Sequence, residues 1–270
     1  MSELVTIHTE NHIADVRLNR PDKYNALSPD MFGAITAAGE TVMNDPRIRA
    51  VVLSGNGRGF CAGLDFESFM GMASGSRSED GVDDLMKKVE NSPANAPQYV
   101  AYVWRQVPVP VIAALHGVAF GGGLQIALAA DIRLATADAR LSVREINWGL
   151  IPDMSGTQTL RDLVRLDVAK ELTYTGREVG GNEALKLGLV TRVCVDPLAE
   201  ALSMAADIVN KSPHAIRAAK QLLQETRHGD VPSGLKMEET LQRGLIGSPN
   251  QIEAVKANFE KRAPDFSDPE

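Results

Sequence analysis

The stretch HGVAFGGGLQIALAADIRLA, residues 116–135, places three consecutive glycines ahead of a nearly continuous apolar run. This pattern predicts a strand, a glycine turn and a buried helix, with Gln125 as a lone amide one turn into the helix. The first four N–H groups of a helix have no partner within it, and the helix dipole adds partial positive charge there. Because glycines let a ligand approach those N–H groups closely, the turn is a candidate ligand site as well as an ordinary turn.

A second glycine-flanked strand end lies earlier, in VVLSGNGRGFCAGLDF, residues 51–66. Two such strand ends in one domain can aim two backbone N–H groups at one oxygen, which stabilises an enolate or a thioester oxyanion. The dinucleotide-binding pattern Gly-x-Gly-x-x-Gly does not fit, because its last position is Phe60. The acidic residue expected about 20 residues further on also falls in a polar loop.

Composition limits the class of partner. The 270 residues carry 28 Lys and Arg against 35 Asp and Glu, a net charge of −7. An acidic chain predicts no nucleic-acid partner and no membrane partner, although a few local cations can still hold a small polyanionic ligand. Cys61 and Cys194 are too few for a disulfide framework and wrongly spaced for zinc. No signal or membrane-spanning pattern is found, so we expect a cytoplasmic protein, or an organellar one whose targeting segment has been removed.

The remaining pattern predicts a β-rich alternating part followed by a helical part. Residues 4–10 and 13–19 predict a hairpin, and Ser28 followed by Pro29 predicts a helix start. Residues 49–57 and 110–120 each predict one strand. Residues 71–97 are polar and rich in Gly, Ser and Asp, which predicts a mobile insertion. Beyond Leu150 the spacing is helical, apart from a strand over 189–195.

Five segments in order resemble the enoyl-CoA hydratase/isomerase (crotonase) family over nearly the whole chain. They are NRPDKYNAL (19–27), GRGFCAGLD (57–65), the stretch 116–135, EINWGLIPDMSGTQTL (145–160) and FEKRAPDF (259–266). The resemblance implies an α/β fold with a crotonase-type β-β-α spiral core over residues 1–197, which holds the CoA and active sites. It also implies a C-terminal helical region over residues 198–270 that drives a homotrimer or a dimer of trimers.

The resemblance also implies functional residues. It assigns the oxyanion-hole N–H groups to Ala62 and Gly122, in agreement with the two glycine-flanked strand ends. It implies no metal and no redox cofactor, since CoA arrives as part of an acyl-CoA thioester substrate. The basic candidates could equally be solvated surface charges. The residues implied to contact CoA, the last two from a neighbouring subunit, are Arg20, Lys23, Ala26, Ala62, Gly63, Asp65, Phe259 and Lys261.

The carboxylates decide which chemistry to expect. Hydratases resembling this chain carry two glutamates, but here the first position is Gln125 and only the second, Glu145, is acidic. An amide can orient a substrate or a water but cannot exchange its proton, and one lost acid–base group costs about 10²–10⁴ in rate. Asp153 stands where dienoyl-CoA isomerases resembling this chain carry an acid. Three alternatives remain: Gln125 as a satisfied core amide, Asp153 as a helix cap and Glu145 as a surface residue.

The sequence therefore favours double-bond isomerisation of an unsaturated acyl-CoA through a stabilised enolate. Glu145 moves the proton, with Asp153 as its partner and Gln125 facing the substrate beside Gly122. The alternative enzyme is a hydratase that adds water to 2-enoyl-CoA. An alternative of another class is a non-catalytic CoA-binding scaffold protein.

Overall fold

The computed structural model describes residues 3–269 except 67, 69 and 71–85. Most of the insertion predicted over 71–97 therefore lies outside the described residues, and its mobility stays a prediction. Among the helices that are described, none is long and apolar enough to cross a membrane.

Two sheets organise the described residues. The strands are β1 (Val5–Glu10), β2 (Ile13–Leu18), β3 (Ala50–Gly55), β4 (Val111–Leu115), β5 (Val118–Phe120), β6 (Ile132–Ala135), β7 (Arg140–Ser142), β8 (Val179–Gly180) and β9 (Arg192–Val193). The larger sheet has the order β1-β2-β3-β4-β6-β9, and the smaller has the order β5-β7-β8. β1 and β2 pair antiparallel, which confirms the predicted hairpin, and the other pairs of the larger sheet are parallel.

The single strand predicted over residues 110–120 is wrong, because the chain forms β4 and β5 in different sheets. The break falls at Gly117, whose φ of +57° is a left-handed conformation that favours glycine. A Cβ at this position would lie 2.1 Å from the carbonyl oxygen of Arg58. The bend therefore brings the backbones of the two glycine-flanked strand ends into close contact.

The helices begin where the local signals predict. Ser28 caps α1 (Pro29–Asn44) and its Oγ accepts a hydrogen bond from the N–H of Met31, which confirms the predicted start. The predominantly helical second half is also confirmed. The helices whose bounds the structure gives are α1 (Pro29–Asn44), α2 (Ala96–Gln106), α3 (Gly122–Ala129), α4 (Gly156–Leu163), α5 (Leu166–Thr175), α6 (Gly181–Leu187), α7 (Pro197–Val209), α8 (Pro213–Thr226), α9 (Val231–Leu245) and α10 (Pro249–Glu260).

Helices cover both faces of the larger sheet, which confirms the predicted α/β class. On one face, Ala201 and Ala205 of α7 pack against a buried layer that includes Val52 and Ile112. The main core, on the other side, contains α1, α2 and α3. α7 thus packs directly on the sheet, while the division of the chain at residue 197 stays a prediction.

Candidate active site

One cavity of about 720 Å³ lies between α1, α2 and the two glycine-flanked strand ends. This volume is in the range of small-molecule sites, about 300–1,000 Å³. Glu145 and Asp153 line it together with Leu64 and Gly122. α1 contributes residues spaced three and four apart, which lie on one face of that helix. These are Pro29, Phe32, Gly33, Thr36, Ala37 and Glu40.

Gly122 lies where the sequence predicts, at the first position of α3 and on the cavity wall. An N–H in the first turn of a helix has no acceptor within the helix. The preceding N–H, of Gly121, is already used, since it donates to the carbonyl of Ser142 at 2.9 Å. A Cβ on Gly122 would lie 2.6 Å from Met154 Sδ and 2.9 Å from Leu27 Cδ1, so a larger residue does not fit without displacement.

The oxyanion donor implied at Ala62 has to be corrected. The N–H of Ala62 donates to the carbonyl oxygen of Tyr24 at 2.9 Å and is not available to a ligand. Two residues along, Leu64 forms a parallel bridge with Leu27. That bridge uses the carbonyl of Gly63 and the N–H of Asp65, so the N–H of Leu64 points to the other side. Within the described chain it has no backbone acceptor, so Leu64 replaces Ala62 as the candidate donor.

Glu145 opens a short 3-10 turn, Glu145–Trp148, and only 8% of the residue is exposed. Its Oε1 accepts a hydrogen bond from Gln125 Nε2 at 2.5 Å, whereas its Oε2 is buried with no hydrogen-bond partner among the described residues. Burial raises the pKa of Glu145, and the negative charge of Asp153 raises it further. A desolvated carboxyl with one unsatisfied oxygen is suited to take up and release a proton.

The sequence analysis expects Gln125 to face the substrate, but its side chain does not line the cavity. It is 2% exposed, and its Nε2 donates to Glu145. Its Oε1 accepts from the N–H of Met154 at 2.8 Å and from the N–H of Gly156 at 2.9 Å. Both polar ends of the amide are thus bound by protein, and the alternative of a satisfied core amide describes its contacts better.

Asp153 lines the same cavity as Glu145, as the sequence analysis expects. The alternative of a helix cap is wrong, because α4 begins after Ser155 and has no side-chain cap. Burial raises the pKa of Asp153 above the ordinary value of an aspartate. The structure therefore brings two desolvated carboxyls to one cavity.

Three of the implied CoA contacts hold one another. Arg20 forms an ion pair with the buried carboxylate of Asp65 and donates to the carbonyl of Ala26 at 3.1 Å. Because a buried carboxylate needs a partner, Arg20 has a structural role that the sequence could not reveal. Lys23 is exposed, and Gly63 lines the cavity with a φ of +85°.

A further cation near this segment was missed by the sequence analysis. The exposed Arg58 stacks its guanidinium over the Tyr24 ring, 4.5 Å from the ring centre. Phe259 and Lys261 lie apart, at the end of α10, where Phe259 is 85% exposed and borders a shallow depression. Neither of these two lines the cavity of its own chain. In the described part of the chain no three His, Cys, Asp or Glu residues gather as a metal-binding group.

The cavity combines backbone N–H groups that have no acceptor among the described residues with a buried carboxyl, Glu145, that has one oxygen without a partner. This combination is typical of an acid–base enzyme. The sequence model described as Enoyl-CoA hydratase/isomerase matches residues 8–269. The chain belongs to this family, and its crotonase-type fold is confirmed by the solved structures that it resembles.

Three proteins that this chain is similar to support its membership of the family. The dienoyl-CoA isomerase of Arabidopsis thaliana peroxisomes, Delta(3,5)-Delta(2,4), is 32% identical over 98% of this chain and 96% of its own length. The short-chain-enoyl-CoA hydratase of Clostridium acetobutylicum is 31% identical over 96% and 95%. The crystal structure of an enoyl-CoA hydratase from Bacillus anthracis superposes with a TM-score of 0.87 at 31% identity, over 97% and 98%. The family therefore includes relatives of both activities at equal similarity.

Proposed function

We propose that this enzyme moves a carbon–carbon double bond in an unsaturated acyl-CoA thioester. The observation that carries the proposal is the arrangement of three side chains. Glu145 and Asp153 both line the cavity, whereas both polar ends of Gln125 are bound by protein. The cavity thus offers two groups that exchange protons with an acyl chain and lacks the second glutamate of the hydratase pattern.

The thioester carbonyl binds between the N–H groups of Leu64 and Gly122. These donors stabilise the negative charge that forms on the oxygen when a proton leaves the carbon chain. Glu145 Oε2 takes the proton as the C–H bond breaks, and the electron pair moves into the new double bond system. Protonation at a second carbon, by Glu145 or Asp153, completes the shift. The reaction consumes nothing else, so no metal or cofactor is required beyond the CoA of the substrate.

Hydration needs a group that holds and activates a water. The amide of Gln125 cannot exchange a proton, and its hydrogen bonds to Glu145, Met154 and Gly156 leave little capacity for a water. A scaffold role is disfavoured, since a buried carboxylate with an orphaned oxygen costs stability that a passive pocket would not need.

The test is a pair of assays on the purified protein. One uses crotonyl-CoA, and the other uses 3-enoyl-CoA and 3,5-dienoyl-CoA thioesters. We expect turnover of the second pair and little hydration of the first. Fast hydration of crotonyl-CoA without double-bond shift would overturn the proposal, and silence in both assays with CoA still bound would favour the scaffold protein.

We further propose that the chain assembles as a trimer or a dimer of trimers. Large apolar side chains are exposed on α9 and α10, where a monomer would leave them in water. Phe259 and Lys261 would then contact CoA in a neighbouring subunit, and Lys23 and Arg58 are the candidate cations for its phosphates. Light scattering coupled to gel filtration tests the assembly. The exposed residues are Val231, Leu235, Ile252, Val255 and Phe259.

The cytoplasm is the proposed location, in keeping with the bacterial relative in Bacillus subtilis. Other relatives are named as peroxisomal or mitochondrial. Fractionation of the source cells tests the location.

A further inference from the structure

We propose that Gln125 is a positioning residue that makes Glu145 Oε1 a permanent hydrogen-bond acceptor, leaves Oε2 as the proton-exchanging oxygen, and ties the Asp153 loop to the same carboxyl. The proposal rests on the isomerase function for its kinetic test. A second, spectroscopic test does not depend on activity.

The orientation of the Gln125 amide follows from its partners. Two backbone N–H groups, of Met154 and Gly156, donate to one end at 2.8 Å and 2.9 Å. An N–H can only donate, so that end must be the carbonyl and the other end must be the NH₂ group. The NH₂ group faces Glu145 Oε1 at 2.5 Å. Because NH₂ only donates, Oε1 must accept, and a proton bound by Glu145 has to reside on Oε2.

Oε2 is the oxygen without a hydrogen-bond partner among the described residues. The amide therefore separates the two oxygens of one carboxyl into an anchored atom and a working atom. This separation fixes the direction in which the carboxyl presents its proton, and such fixed geometry lowers the entropic cost of proton transfer.

The same amide controls the loop that carries Asp153. Its carbonyl holds the backbone one residue and three residues after Asp153. Between them, Ser155 has a φ of +62°, a strained conformation for a residue with a Cβ. A Cβ on Gly156 would lie 2.5 Å from Gln125 Oε1, so this glycine is needed for the contact. One buried side chain thus sets the position of both acids.

Other charged groups lie on the elements that surround Gln125 and Glu145. α3, which carries Gln125, has no titratable side chain. Arg144 precedes Glu145 and is engaged by Glu178 at 2.6 Å and by the Phe120 ring at 4.0 Å. On α4, Asp162 is paired with Arg105, Arg227 and His228. The charged groups that line the cavity beside Glu145, or lie on the packed helices α4 and α5, are Glu40, Arg144, Asp153, Arg161, Asp162, Asp167, Lys170 and Glu171, and α5 also carries Tyr174.

Gln125→Glu is the decisive variant, because a protonated glutamic acid has the shape and polarity of glutamine. At low pH its O–H donates to Glu145 Oε1 and its carbonyl accepts from the two backbone N–H groups. At higher pH both carboxyls ionise, and two negative charges face each other at hydrogen-bond distance. We expect a kcat within several-fold of wild type at low pH and a new alkaline fall of about 10²-fold that wild type lacks. KM should change little.

Gln125→Met is the matched control, of similar size but without an amide. It should lose kcat at every pH, with no recovery at low pH. A Gln125→Glu profile that falls in parallel with Gln125→Met, or that matches wild type throughout, would overturn the proposal, because packing alone would explain either result.

The second readout is the carbon NMR titration of glutamate carboxyls in the intact protein, with Glu145 assigned from its absence in Glu145→Gln. The Gln125 hydrogen bond lowers the pKa of Glu145. Gln125→Met should therefore move the Glu145 titration to higher pH, and Gln125→Glu should give two coupled steps. An unchanged Glu145 titration in both variants would refute the positioning role even if the protein isomerises dienoyl-CoA. Conversely, the shifts are expected even if the substrate proposal fails.

Discussion

Two sets of groups meet in the cavity, and they differ in how they are held. The backbone donors, the N–H groups of Leu64 and Gly122, are fixed by a β-bridge and by a helix start. In the carboxyl pair, Glu145 is held by the side chain of Gln125, and both Glu145 and Asp153 have raised pKa values because they are buried. The donors do not titrate, whereas the carboxyl pair does. We infer that charge stabilisation is constant with pH and that proton transfer is the part that pH and mutation control.

The largest effect is expected from Glu145→Gln, which removes the proton carrier and leaves the backbone donors intact. We expect kcat for 3,5-dienoyl-CoA to fall about 10²–10⁴-fold. The control is CoA binding by calorimetry, which should be unchanged because free CoA has no acyl chain for Glu145 to contact. Wild-type activity in a folded variant that still binds CoA would contradict the assignment of Glu145.

Backbone substitutions that each remove one N–H test whether the oxyanion donor is Leu64 or Ala62. Replacing Leu64 by its α-hydroxy acid converts one amide to an ester, which removes the N–H and weakens the Gly63 carbonyl as the acceptor of the Leu27 N–H. We expect kcat to fall about 10²–10³-fold, the usual cost of one oxyanion donor.

The same replacement at Ala62 is the matched control. It removes the hydrogen bond to Tyr24 and should lower the free energy of unfolding by about 1 kcal/mol, with little change in kcat. The reverse pattern in the two esters would restore Ala62 as the donor.

A smaller effect is expected in the pH dependence of Asp153→Asn. The charge of Asp153 contributes to the raised pKa of Glu145. A base has to be deprotonated, so kcat/KM rises with pH through that pKa. Removing the charge should lower the pKa of Glu145 and move the acidic limb to lower pH. A limb that stays in place in Asp153→Asn would show that the two carboxyls titrate independently.

The smallest effect concerns stability. Glu145 has a raised pKa in the folded state, so at pH above its unfolded pKa the buried charge destabilises the protein. Glu145→Gln should therefore have a slightly higher Tm than wild type at pH 7, and this advantage should disappear at pH values below the unfolded pKa of a glutamate. The measurement is thermal unfolding at pH 7 and at low pH. A lower Tm at pH 7 would indicate that the ionised carboxylate stabilises the fold.

The sequence predicts features that depend on neighbours along the chain. The β1–β2 hairpin, the cap at Ser28 and the helix start at Gly122 are set within a few residues and are found as expected. The family resemblance also predicts that Glu145 and Asp153 act at one site, and both line the same cavity.

The features that were missed depend on partners far along the chain. Whether Ala62 or Leu64 offers its N–H depends on Tyr24 and Leu27, which are far away in sequence. The bend at Gly117 reflects contact with Arg58, and no local pattern marks it. From the sequence, Arg20 is a candidate cation for CoA. In the structure it is occupied by an ion pair with the buried carboxylate of Asp65.

The face of α1 along the cavity suggests how substrate range can change without disturbing the chemistry. Phe32, Gly33 and Ala37 line the cavity but carry neither the donors nor the carboxyls. A Cβ on Gly33 would meet no neighbour within 4 Å, so the helix tolerates a larger side chain there. Over evolution, substitutions on this face of α1 can change the range of acyl groups that the cavity accepts, while selection on the reacting residues acts separately.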